Sequence, residues 1–203
     1  MNELLATFIF LFAVIDPIGS IPVFIAATNG FNEREKRSTA FKAVLVSALI
    51  LLFFIVAGEL ILDAIDIPLS AFQIAGGLVL LLFALTMIFG ESKPESEIKT
   101  IKNTTETAVF PMAMPSIASP GAMLAVVLLT KNSDFSVWEQ FQSSLILIGV
   151  LIIVLVLLLL ATKVHKVIGD AGASIISRVM GLILAAVAVA NIIDGIKDSF
   201  NLL

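Results

Sequence analysis

The chain has 203 residues, of which 59% are hydrophobic and 14% charged, with a net charge of −4 and no cysteine. A soluble domain carries about 45–50% apolar and about 25% charged residues, so there are too few charges here for a solvated shell, and the mean hydropathy of +1.11 agrees. Wealth in Leu, Ile, Val and Phe excludes disorder. The lack of a basic block argues against nucleic acid, and the absence of Cys removes disulfides, thiolate metal sites and Cys nucleophiles. This is the composition of an integral membrane protein.

A bilayer core takes about 20 apolar residues per helix, and six stretches meet that length. The first, about 4–28, is interrupted by Asp16, Pro17 and Pro22. With Glu3 as its only early charge, and too long for the apolar core of a signal peptide, it is expected to be a retained helix. The second runs over about 40–60 and the third over 68–89 with no charge inside. The fourth, about 107–130, is also uncharged and also broken by prolines. The fifth, 141–162, contains an apolar run over 145–161 and reads as scaffold; the sixth covers about 174–196. The connections 29–39, 61–67, 90–106, 131–140 and 163–173 are short and polar and leave no room for a soluble domain. A single transmembrane domain over 1–203 is expected.

Lys and Arg accumulate in cytoplasmic loops. The first, third and fifth connections and their helix ends hold Arg34, Lys36, Arg37, Lys42, Lys93, Lys99, Lys102, Lys163, Lys166 and Arg178; the other side holds only Lys131 and Lys197. Both termini are therefore expected outside, in a multi-pass protein of the cell (inner) membrane, with Trp138 an aromatic anchor at the outer interface.

An offset of 98 residues lays the first broken stretch on the fourth: Asp16-Pro17-Ile18-Gly19-Ser20-Ile21-Pro22 meets Met114-Pro115-Ser116-Ile117-Ala118-Ser119-Pro120, and both prolines coincide. An offset of 105 lays the third on the sixth, matching Gly76 with Gly181, Thr86 with Asn191 and Gly90 with Gly195. Each half, about 1–95 and about 105–203, holds three spans. An odd number inverts the second half relative to the first. The expected fold is thus all-α, six transmembrane helices as two inverted three-helix repeats with helices 1 and 4 broken. Paired broken helices in such repeats point to a binding site near the bilayer midplane. Proline removes a backbone donor and disturbs the carbonyl four residues back, and unwound backbone survives at membrane depth only inside protein or along a wet cavity. The N-terminus of a following half-helix suits an anion such as a carboxylate.

Asp16 is the ionisable residue near the centre of a predicted span. An intramembrane carboxylate costs at least about 2.5–3.5 kcal/mol on insertion scales and is a functional candidate by default. Three roles stay open: cation ligand, proton carrier, or N-cap of a half-helix opening at Pro17. Ser20, Ser116 and Ser119 lie in the breaks and offer hydroxyls, although Ser in such helices often bonds its own backbone. Asn191, with polar Thr86 as its repeat partner, is a further candidate; Asp194 is expected to reach interfacial water and His165 to be a solvated surface residue. Gly76, Gly77 and Gly181 read as close-packing positions of the third and sixth helices.

The phrase LFAVIDPIGSIPVFIAAT at 11–28 resembles the opening helix of the MarC family of six-span bacterial and archaeal membrane proteins. AVFPMAMPSIASPGAM at 108–123 is similar to that family's Pro-rich fourth helix, and RVMGLILAAVAVANIIDGI at 178–196 to its sixth. One departure is that the family's fourth helix usually reads Gly-Pro-Gly where this chain has Ser119-Pro120-Gly121, which would narrow or re-line a pocket there. The resemblance implies a transporter of small neutral amino acids such as glycine and alanine, driven by a cation gradient. Its implied pocket is the two breaks, Asp16, Pro17, Gly19, Ser20 and Pro22 with Pro115, Ser116, Ser119, Pro120 and Gly121. Asp16 would take part in Na⁺ or H⁺ coupling.

The leading expectation is therefore a cation-coupled secondary transporter, with no cofactor beyond Na⁺ or H⁺, and with a small amino acid and membrane lipid as partners; a homo-oligomer is compatible with it. An exporter of drugs or metabolites is the main alternative, but breaks lined by Ser, Gly and Pro do not suit large amphipathic drugs. A channel is a lesser one. An enzyme is not expected: an aspartyl site needs two carboxylates sharing a proton, and only Asp16 lies deep in a predicted span.

Overall fold

The computed structural model describes residues 2–89, 103–131 and 135–200. Gly90, Lys93, Lys99 and Lys102, with most of the third predicted connection, lie outside the described residues. The elements are α1 (Asn2–Ile15), α2 (Ser20–Ala27), α3 (Glu33–Ala64), α4 (Leu69–Phe89), α5 (Thr104–Ile117), α6 (Pro120–Leu128), α7 (Val137–Leu159) and α8 (Ala161–Phe200). α1 and α2 together make a span over Glu3–Ala27, and α5 and α6 make a second broken span bent by 57°. With α3, α4, α7 and Ser174–Phe200 of α8, the described residues hold up to six spans.

Helix ends run past the apolar windows because caps, not hydropathy, decide them. α3 opens at Asn32, whose side chain accepts from Arg34 N and Glu35 N at 3.0 Å each, while Glu35 returns an acceptor to Asn32 N at 2.8 Å. This capping box satisfies three backbone donors and makes residues 33–39 helical, where a polar connection was expected. α7 starts the same way at Ser136 and Glu139. The expected connection 163–173 is helical on either side of Gly169, where φ is +66° and the helix breaks. Only glycine takes that conformation freely.

The broken spans lie inside the bundle and the intact ones around it. Half of the apolar window of α1–α2 is buried, against 17–28% in the four intact spans. Leu11, Val14 and Ile15 of α1 and Met112 and Ile117 of α5 pack with Leu51, Leu80, Leu147 and Leu184 from four surrounding helices. The apolar side chains left outside, such as Leu45, Val56, Leu82 and Ile152, suit a lipid surface.

α4 and α8 form the closest pair and run antiparallel. A methyl group added to Gly77 would stand 2.7 Å from Ile192 Cγ1 and 3.0 Å from Ala188 O, and one on Gly181 would stand 2.9 Å from Ala84 O. The glycines therefore let two backbones approach, as small residues do between membrane helices.

Candidate functional site at two helix breaks

The first break is short. Pro17 disfavours the right-handed helical region for the residue before it, and Asp16 turns through φ +48°. Asp is among the few residues that tolerate this left-handed region. Asp16 is 4% exposed; its Oδ1 accepts from Gly19 N at 2.9 Å, and its carbonyl accepts from Ser20 N and Ser20 Oγ at 3.1 Å each. The carboxyl group folds over Gly19 so closely that an added methyl group there would stand 2.6 Å from Asp16 Cγ. The half-helix α2 then starts at Ser20. Pro22 is not in the break as expected but in the first turn of α2, where its missing N–H has no intrahelical partner to lose.

The second break is longer and starts earlier than expected. Phe110 and Met114 are both extended (φ −130°, with ψ 126° and 127°), each ahead of a proline, Pro111 and Pro115. Between and beyond them the turns are widened, as in the 2.8 Å bond from Ala118 N to the Ala113 carbonyl five residues back. The chain recovers at Ser119, whose hydroxyl accepts from Ala122 N at 3.1 Å and caps α6, with Pro120 in the favoured first position. Pro115 and Pro120 are themselves exposed. They shape the backbone and do not line the buried interior. Pro111 was not singled out from the sequence, although two prolines four residues apart carry the signal.

The two breaks touch. Ser20 Oγ and Ser116 Oγ are 3.1 Å apart and both hydroxyls are buried. Ser20 Oγ also donates to the Asp16 carbonyl, so the two hydroxyls and the first break lie within one hydrogen-bonded group. A methyl group on Gly121 would stand 2.7 Å from Leu80 and 3.5 Å from Val14, so the start of α6 abuts the end of α1. Asp16, Gly19, Ser20, Ser116, Ser119 and Gly121 are thus gathered at the meeting of the two breaks. The half-helices end alike: Thr28 Oγ1 donates to Phe24 O at 2.6 Å and Thr130 Oγ1 to Val126 O at 2.7 Å.

The remaining candidates lie elsewhere. Thr86 is exposed and donates to Phe83 O of its own helix at 2.7 Å; it is not gathered with the breaks, because its face of α4 points away from the bundle. Asn191 is half-buried on α8, next in sequence to Ile192, which packs on Gly77 of α4. Asp194 is exposed, 3.7 Å from Lys197. His165, expected to be solvated, is half-buried instead. Among the described residues, no group of three or more His, Cys, Asp or Glu could hold a metal ion.

Residues 1–200 match the model of the MarC family integral membrane protein. The chain belongs to the MarC family. Among relatives, a UPF0056 membrane protein of Methanocaldococcus jannaschii is 37% identical over 193 residues, covering 93% of each chain. One from Aquifex aeolicus is 32% identical, covering 94% of this chain and 91% of its own. The UPF0056 membrane protein YvbG of Bacillus subtilis is also 32% identical, over 97% of this chain and 95% of its own. No solved structure matches the chain. As a MarC protein it is an integral membrane protein with several membrane-spanning helices, and the likeness runs through both breaks.

Proposed function

We propose that this MarC protein is a secondary active transporter of small neutral amino acids of the glycine and alanine type, coupled to a cation and working by alternating access at the two breaks. The observation that carries the reading is the Ser20–Ser116 hydrogen bond, which joins two interrupted spans beside a buried Asp16. Polar groups at membrane depth are costly and mark ion or substrate paths. The N-termini of α2 and α6 start in this one region and carry partial positive charge suited to a carboxylate. The hydroxyls of Ser20 and Ser116 suit a ligand ammonium, which brings three N–H donors. Gly19, Ser20, Ser116, Ser119 and Gly121 make up much of the two breaks, with Val14 and Leu80 against Gly121, which favours a substrate with a small side chain. Asp16 serves the coupling ion, H⁺ or Na⁺, and is also the acceptor that caps Gly19 N.

An inverted-repeat architecture underlies this reading. Support comes from the α4–α8 seam, where Gly77 packs on Ala188 and Ile192 while Gly181 packs on Ala84; the 105-residue offset exchanges these two contacts to within a few residues. The excess of Lys and Arg on one side supports an orientation with both termini outside the cell membrane. The test is uptake of radiolabelled glycine and alanine into proteoliposomes of the purified protein under imposed Na⁺ or H⁺ gradients. Gradient-driven accumulation, competed by unlabelled alanine but not by lysine or glutamate, is the expected result. Folded protein that accumulates neither amino acid under any gradient would reject the reading in favour of export or a channel.

A further inference from the structure

A polar and apolar feature lies apart from the meeting of the breaks, on the outer face of α5. Thr105, Glu106, Val109 and Phe110 line an open groove of about 490 Å³, and all four are exposed. Residues spaced this way share one helix face. The groove ends where α5 leaves the α-helical path at Phe110, ahead of Pro111. At its other end Lys42 of α3 reaches across, and its Nζ donates to Thr105 Oγ1 at 2.8 Å. One end of the groove is therefore charged and the other, at Val109 and Phe110, is apolar.

The charged end holds one charge of each sign. Among the described residues, neither Lys42 nor Glu106 belongs to an ion pair. A lysine ammonium has three N–H donors, and Thr105 takes one of them. The other charges at the start of α3 are engaged or farther off. Glu33 pairs with Lys36 at 3.2 Å, Glu35 accepts from Asn32 N, and Arg34 and Arg37 are exposed more than a turn before Lys42. A purely anionic ligand would meet Glu106 as well as Lys42, and a purely cationic one would meet Lys42 as well as Glu106. A ligand bearing both signs satisfies both. Lys42 and Thr105 also stand at the starts of apolar stretches, the level at which headgroups give way to acyl chains and long cationic side chains reach for the interface.

We propose that this groove binds a zwitterionic phospholipid whose headgroup carries a phosphate and a primary ammonium, the phosphatidylethanolamine class. The phosphate accepts from Lys42 Nζ and the Thr105 hydroxyl, the ammonium donates to the Glu106 carboxylate, and an acyl chain lies along Val109 and Phe110. Charge complementarity selects this headgroup. Phosphatidylglycerol brings its negative charge to Glu106 as well as to Lys42, and a trimethylated choline has no N–H to give Glu106. The lipid sits on the outer face of the second broken span, so the proposal does not depend on what the breaks transport.

The test titrates delipidated full-length protein in detergent with dioleoyl phosphatidylethanolamine, phosphatidylcholine and phosphatidylglycerol, read by native mass spectrometry, with thermal unfolding alongside. Phosphatidylethanolamine should bind about fivefold more tightly than either of the others, the scale of two partly exposed charge pairs, and should raise the melting temperature most. K42Q should lower its affinity to that of phosphatidylcholine. E106Q should erase the preference over phosphatidylcholine and strengthen phosphatidylglycerol, whose repulsion is then gone. R37Q removes a charge of the same sign outside the groove and should leave the preference intact. Phosphoethanolamine without acyl chains should not bind at the same concentrations. The cooperative unfolding transition of each variant shows that it is folded. Equal affinity of wild type for the three lipids, or a preference that persists in both K42Q and E106Q, would overturn the proposal. Tightest binding of phosphatidylglycerol, weakened as much by R37Q as by K42Q, would also overturn it in favour of a diffuse basic surface.

Discussion

The two breaks do one structural job with different chemistry. The first is a compact turn built on one charged residue: Asp16 adopts a left-handed φ of +48°, caps Gly19 N with its carboxylate and receives Ser20 on its carbonyl. The second is long and neutral. It leaves the α-helix at Phe110 and Met114, passes through widened turns, and is capped only by the Ser119 hydroxyl. Beyond the breaks the difference vanishes, since Thr28 and Thr130 close α2 and α6 with the same bond to the carbonyl four residues back. Charge is therefore confined to one side of the meeting point. The lesson is a division of labour in which α1–α2 carries the carboxylate at the meeting point and α5–α6 brings neutral backbone and hydroxyl groups opposite it.

The sharpest way to break this comparison is Asp16→Asn. Asn keeps an acceptor for Gly19 N, so the protein should fold, but gradient-driven accumulation in proteoliposomes should be lost. Accumulation at the wild-type level, with unchanged cation dependence, would remove the coupling role from the first break. Gly19→Ala should follow, because its methyl group takes the space of the Asp16 carboxyl group. We expect a loss of uptake together with about 1–3 kcal/mol of stability, from a displaced buried polar group, read by thermal unfolding in detergent. Gly121→Ala is the matching change in the second break and meets mainly the end of Leu80. It should be milder, near the low end of the about 1–3 kcal/mol typical of overpacking, and uptake should survive; equal damage from the two would dissolve the contrast.

Smaller effects sharpen the second break. Ser119→Ala should lower stability by about 1 kcal/mol through loss of the cap, and Ser119→Gly by only a few tenths, both read from unfolding curves. A cycle of Ser20→Ala, Ser116→Ala and the double variant should give a coupling of about 0.5–1.5 kcal/mol, and a value near zero would mean that the breaks are not bonded in the membrane. Thr86→Val, on the exposed face of α4, should stay within about 0.5 kcal/mol of wild type in stability and leave uptake unchanged.

Much of the site was legible before any coordinates. A carboxylate in an apolar span draws attention on cost alone, whereas Asp16-Pro17 reads as a cap followed by a helix start and the helix instead begins at Ser20 with Gly19 as its cap residue. What pattern matching misjudged was register. An offset of 98 residues superposes the prolines, yet the cap residues Gly19 and Ser119 stand 100 residues apart and the closing threonines Thr28 and Thr130 stand 102 apart. Pro22 therefore sits third in α2 while Pro120 opens α6. Proline reports where a helix is disturbed but not on which side of the proline it resumes, because that depends on which donor finds an acceptor. The early departure at Phe110 has the same origin: each residue before a proline is pushed toward extended backbone, and how the bonds re-form afterwards is settled by packing.

Membrane residence, six apolar stretches, broken first and fourth spans and the isolation of Asp16 all follow from the sequence, because each depends on local composition or on one residue's backbone chemistry. Helix ends depended on reciprocal caps a few residues long, such as Asn32 with Glu35, which hydropathy does not register. Only the tertiary structure decided that Ser20 faces Ser116 across 96 residues and that Thr86 lies outside the gathering. Those facts turn on which face of each helix meets its neighbour, and a helix that is apolar nearly all round does not declare that face in its own sequence.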